Sequence, residues 1–203
     1  MVDRTEIIRR VLGVIDELGG CGDTNVANDY PIASTLDQAG RELLMIAPVG
    51  AINRVKSFKT APLTAKADGT GEVELPSDFV RMVSFRMYGW HKAVYETIAT
   101  TSQKYARQFH RSTRGGVAQP VVALCGNKIQ YFSVLLDSVH LMEEADYVDF
   151  MEVDATYPSK LLDALVWLTA AKTLKIMSEY EASKMAMEEY ERLIGNLFGR
   201  YGK

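Results

Sequence analysis

From Tyr157 to Phe198 the sequence runs YPSKLLDALVWLTAAKTLKIMSEYEASKMAMEEYERLIGNLF, and the contrast between its two halves decides the fold. Pro158 suits a helix's first turn, whose N–H groups have no partner to lose. Behind it, Leu161, Leu162, Leu165, Val166, Trp167, Leu168, Leu174 and Ile176 cover more than one stripe of a helix. That breadth predicts enclosure on several sides, by an intramolecular core and by a neighbour. From Glu179 the apolar set narrows to Met187, Tyr190, Ile194 and Leu197, opposite Glu181, Lys184, Glu188, Glu191 and Arg192. No Pro or Gly intervenes between Pro158 and Gly195. The stretch is either one rod of ~60 Å or two helices kinked near Ser178–Glu181.

Working outward, the N-terminus supplies partners for this core. Asp3-Arg4-Thr5-Glu6 has the form of a capping box, and Ile7, Ile8, Val11, Leu12, Ile15 and Leu18 follow at helical spacing up to Gly19-Gly20. After a polar connector (Gly22–Pro31), Leu36, Ala39, Leu43, Leu44 and Ile46 mark a second helix from about Ser34 to Ala47, stopped by Pro48. Between the helical ends, short alternating runs are punctuated by turn signals, the pattern of antiparallel strands. Asp68-Gly69 joins Leu63–Lys66 to Glu72–Leu75, and Gly126-Asn127 joins Val121–Leu124 to Lys128–Ser133. Val80–Tyr88 is a longer strand that turns at Gly89 and returns through Lys92–Glu96. Val139–Met142 and Tyr147–Val153 form a last hairpin around Glu143–Asp146. The expectation is an α+β fold: a helical core (1–57 and 155–203) made of an N-terminal helical hairpin and long C-terminal helices. An antiparallel β module (58–154), with a short helix near 101–110, is inserted into it. Ser112–Gln119, with two glycines and few apolar anchors, is expected to be a mobile loop.

Composition narrows the function classes. The 203 residues are 47% hydrophobic and 24% charged, with a net charge of −3, so no global basic field drives nucleic-acid binding. The opening Met1-Val2-Asp3-Arg4 carries no signal core, and no apolar run approaches the ~18–20 residues of a membrane span. A soluble protein of a reducing compartment is expected, with Cys125 a buried, inert thiol in its strand. Gly19-Gly20-Cys21-Gly22 closes a helix and lacks a Gly-Lys-Ser/Thr ending, so it is a helix terminus rather than a phosphate loop. His91, His110 and His140 are scattered without zinc-ligand spacing, and no nucleophile elbow is present. Neither a metal, a cofactor nor a catalytic residue is expected.

Two charged segments stand out. Lys104, Arg107, His110, Arg111 and Arg114 interleave with Tyr105 and Phe109; Asp146, Asp149, Glu152 and Asp154 alternate with apolar residues. The first is a solvated helix face or a contact for phosphates or an acidic surface. The second is a solvated strand face or, with a partner group opposite, a carboxylate metal site.

Leu75-Pro76-Ser77-Asp78-Phe79-Val80-Arg81-Met82-Val83 changes the reading. A Leu-Pro-x-Asp-Phe lead into a strand, after two helices and a short hairpin, resembles the head-to-tail adaptor (connector, gatekeeper-like) ring proteins of short-tailed phages. Pro120, Ile129-Gln130-Tyr131, Tyr147–Phe150, Tyr157-Pro158 and Leu161–Leu174 follow in a similar order. The resemblance implies a non-enzymatic virion protein, made in the host cytoplasm and placed at the portal vertex. It would form a homo-oligomeric ring of about twelve copies, closed by heterologous interfaces. The ring would sit between the portal protein and a downstream tail or further ring protein, and DNA would pass through without sequence-specific binding or membrane contact. Lys104, Arg107, Arg111 and Arg114 on one face and Asp146, Asp149, Glu152 and Asp154 on another are the candidate interface residues. The alternatives are a nucleic-acid-binding regulator using the local basic patch, and an enzyme whose metal site lies around Glu143–Asp154.

Overall fold

A computed structural model of the chain describes residues 3–19, 32–52 and 54–202. The expected connector Gly22–Pro31, the Gly20 end of the first helix and Cys21 lie outside the described residues. The chain is mixed α+β and divides into two compact units: Met1–Arg54 with Phe150–Lys203, and Val55–Asp149.

The first unit is helical: α1 (Arg4–Gly19), α2 (Ile32–Ile46), α4 (Leu162–Ile176) and α5 (Tyr180–Tyr201). The apolar breadth of Leu161–Leu174 is absorbed within the unit, because α1, α2 and α5 all pack against α4. Leu161, Leu165, Ala170, Ala171 and Leu174 are each 0% exposed. No neighbour is needed to cover this helix, contrary to expectation; among its large apolar residues Ile176 alone is markedly open, at 60%. Ile7, Val11 and Ile15 come from α1 at four-residue spacing, and Leu36, Ala39, Leu43 and Leu44 from α2. The small Ala182, Ser183 and Ala186 let α5 approach closely, and Ser183 Oγ donates to Ala171 O at 2.8 Å.

The long C-terminal stretch is two helices, not one rod. Ser178 adopts φ +67°, its N–H donates to Lys175 O at 3.2 Å, and Glu179 N donates to Leu174 O at 2.9 Å. These are the paired bonds of a Schellman terminus, with serine in the left-handed position that usually takes glycine. At the other end, Glu6 does not complete the expected capping box; both its oxygens accept from Arg9 at 2.9 Å. Arg4 instead forks onto Asp37 with two 2.7 Å bonds, and Asp37 Oδ1 also accepts from Val153 N at 2.9 Å. Gly40 makes room for this returning segment: a Cβ there would fall 2.7 Å from Val153 Cγ2.

The second unit holds two antiparallel sheets. In one, β7 (Met142–Asp149) lies between β1 (Lys56–Ser57) and β4 (Phe79–Met87); the other runs β2 (Leu63–Ala65), β3 (Gly71–Glu74), β6 (Lys128–Tyr131), β5 (Val122–Cys125). Both expected hairpin turns are present, with Gly69 at φ +79° and Gly126 at φ +60°. The last hairpin is not. Glu143–Asp146 lie inside β7, which pairs with β4 in the register Phe85↔Ala145 and Met82↔Tyr147. Their charges suggested a turn, but Glu143 is held at 2.9 Å by Arg86 on β4 while Met142, Ala145 and Tyr147 face the core. The expected return strand Lys92–Glu96 reduces to one bridge, Phe85↔Val94. The core is aromatic: Phe58 contacts Phe79, Phe85 and Tyr147, and Phe85 contacts Trp90 and Tyr131. Among the described residues, no helix is long and apolar enough to cross a membrane.

Candidate functional site

The basic segment is built by local signals. Ser102 Oγ accepts from Tyr105 N at 3.2 Å, starting α3 (Gln103–Ala106), which tightens into a 3-10 turn over Arg107–Phe109. Tyr105 and Phe109 pack edge-on against each other and against Phe132, and Tyr105 OH donates to Gln130 Oε1 on β6 at 2.6 Å. One side of the segment is thus fixed to the sheet, and Lys104, Arg107 and Arg111 are left exposed.

Arg114 belongs to a different class. Its side chain is only 9% exposed and donates to Gln108 O at 2.7 Å and Asp68 O at 2.8 Å. It is a strut. With Thr113 Oγ1 bonded to Arg107 O at 2.7 Å and His91 N to Val117 O at 3.0 Å, it anchors the segment that composition alone marked as a loose loop.

The acidic residues do not form one strand face. β7 ends at Asp149, so Asp146 and Asp149 belong to one unit and Glu152 and Asp154 to the other. Asp149 is buried and ion-paired with Lys56 Nζ at 2.9 Å; the same ammonium bonds Asp78 Oδ2 at 2.7 Å. Tyr147 OH donates to Asp78 Oδ1 at 2.9 Å. Burial tends to raise the Asp78 carboxyl, but the bonds from Lys56 and Tyr147 outweigh it and hold it below its usual range. Burial together with that bond pushes the Tyr147 phenol up to about 12. This clamp ties the first strand of the unit to its last, and it explains Asp78 in the Leu-Pro-x-Asp-Phe stretch structurally. Asp154 accepts from Thr156 N and Oγ1 at 2.8 and 2.6 Å, whereas Glu152 is exposed. Among the described residues no group of three His, Cys, Asp or Glu could hold a metal ion. His140 Nδ1 lies 2.7 Å from the buried Tyr131 hydroxyl. Cys125, expected to be buried, is exposed at the end of β5.

Two surface features were not singled out from sequence. The first is an apolar run: Leu135, Leu136, Val139 and Leu141 are 51%, 47%, 73% and 54% exposed. Tyr88 joins them, since its N–H donates to Leu141 O at 2.8 Å. In sequence, Val139–Met142 reads as one strand of a hairpin, which concealed the run. The second is a cavity of about 260 Å³ lined by Lys92, Lys104, Arg107, Gln108 and Gln119. Lys92 lies outside the basic segment and only the fold brings it there. A larger cavity of about 550 Å³, lined by Asp68, Arg111, Arg114, Ser133 and Leu135, carries both signs of charge. No protein-family model and no curated protein sequence matches this chain.

Proposed function

We propose that this chain is a non-catalytic subunit of the adaptor ring at the portal vertex of a short-tailed phage, joining portal to tail around the DNA passage. The observation that carries the reading is the exposed run Leu135, Leu136, Val139, Leu141 with Tyr88. Contiguous apolar surface of this kind marks contact with another protein. The element order and the Leu75–Val83 stretch add to it, whereas the apolar α4 no longer does, being covered within its own unit.

In this reading the apolar run meets a neighbouring subunit or the portal, and Lys104, Arg107 and Arg111 steer the encounter. The test replaces Leu136 and Val139 by Asp. Substitutions at exposed positions usually move stability by only ~0.5 kcal/mol, so the fold is retained. Rings formed by wild-type protein on the portal should be absent with the folded double variant; normal rings would remove this surface from assembly. A nucleic-acid-binding regulator is the second reading, favoured by the exposed cations Lys104, Arg107 and Arg111.

A further inference from the structure

The 260 Å³ cavity on the second unit brings together three cations from separate parts of the chain: Lys92 from the segment after β4, Lys104 from α3 and Arg107 from the 3-10 turn. No carboxylate lines it. All three side chains are exposed, and among the described residues none has an ion-pair partner. Arg114, the neighbouring cation that does have one, lines the other cavity. Local charge of one sign, left without counter-charge in a concave site on a protein of net charge −3, calls for an anion from outside.

We propose that this pocket binds a phosphate group, taken from a polynucleotide backbone or as the free anion, through Lys92, Lys104 and Arg107. Size favours a group of this scale. A sphere of 260 Å³ is about 8 Å across, within the ~8–10 Å Debye length, so all three cations act on one anion together. The volume is also just under the range of ~300–1,000 Å³ typical of drug-sized ligands, which suits one phosphate and the sugar it esterifies. The walls are held in place independently of any ligand. Gln108, 3% exposed, donates through Nε2 to Lys104 O at 2.9 Å, and Thr113 ties the loop to Arg107 O. Gln108 Oε1 is buried and has no hydrogen-bond partner among the described residues. Next to the pocket, Phe109 is 58% exposed beside His110 and Arg111, a surface on which a base could stack. The site stands on its own geometry: a ring subunit or a regulator would carry it equally.

The test uses the full chain and two probes, inorganic phosphate followed by calorimetry and a fluorescent single-stranded 20-mer followed by anisotropy. The comparison protein carries Lys92→Gln, Lys104→Gln and Arg107→Gln, with circular dichroism as the folding control. A second variant, Lys104→Arg, keeps the charge. Wild-type protein and Lys104→Arg should bind at least one probe, and the triple variant should bind it at least tenfold more weakly. Binding of the oligonucleotide with a log–log salt slope lowered by about one in the triple variant identifies a backbone phosphate as the ligand. Binding of inorganic phosphate alone identifies the free anion. Absence of binding to both probes, or equal binding by wild type and triple variant, overturns the proposal.

Discussion

Replacing Lys56 by Met removes the ammonium that faces two carboxylates, and the structure sets the size of the effect. Asp149 has a side chain 3% exposed and Asp78 one 15% exposed, but Lys56 itself is 42% exposed. Deleting one partner of a fully buried pair costs ~3–5 kcal/mol because the other charge is stranded, whereas a fully exposed pair is worth ~0.2–1 kcal/mol. A buried carboxylate with a half-open lysine falls between, at about 2 kcal/mol. At an m-value of ~2 kcal/mol per M that lowers the urea midpoint by about 1 M. Trp90, 1% exposed in the second unit, reports the transition, and a Trp167→Phe background removes the only other tryptophan. The pH dependence is the sharper signature. In the wild type the Asp78 carboxyl is held below its usual range, so its contribution is present at neutral pH and fades only as pH falls through that lowered value. In the variant only the bond from Tyr147 is left to oppose burial at Asp78, so this carboxyl takes up its proton at a higher pH than in the wild type and the mutant regains stability there. The difference between the two proteins should therefore shrink from pH 7 to pH 4.5. A midpoint difference that is below 0.3 M, or is the same at both pH values, would refute the clamp.

Leu165→Ala, at a 0% exposed position where α4 meets the rest of its unit, should cost on the order of 3 kcal/mol, read by Trp167 fluorescence in urea. Burial depresses the His140 imidazole, partly opposed by Asp68, so the unfolded chain takes up the proton first. The second unit should then lose stability as pH falls below the ordinary histidine value, and His140→Gln should flatten the Trp90-monitored midpoint between pH 7.5 and 5. Ser178→Gly should stabilise the first unit by up to ~1 kcal/mol, read as a higher urea midpoint, because glycine adopts the left-handed terminus without strain.

The elements with local signatures were legible in the sequence. Helical spacing marked α1 and α2, the all-round apolar content of Leu161–Leu174 marked an enclosed helix, and Asp68-Gly69 and Gly126-Asn127 marked two hairpins. What depends on distant partners was not legible. Glu143 and Glu144 look like turn residues until Arg86 is placed on the adjacent strand. Lys56 and Asp149 are far apart in sequence, and only the pairing of β1 with β7 sets them side by side. Arg114 reads as one more surface cation, yet bonds to Asp68 and Gln108 withdraw it from solvent. The same logic hid the phosphate pocket, because Lys92 joins Lys104 and Arg107 only through folding.

The adaptor reading meets its most direct test in electron microscopy of the purified protein mixed with its candidate portal ring. Averaged side views should show one added tier of density on the tail-facing side of the portal, with the rotational symmetry of a closed ring and a mass in whole multiples of one subunit. Portal rings that remain bare at a large molar excess of folded protein would contradict the account.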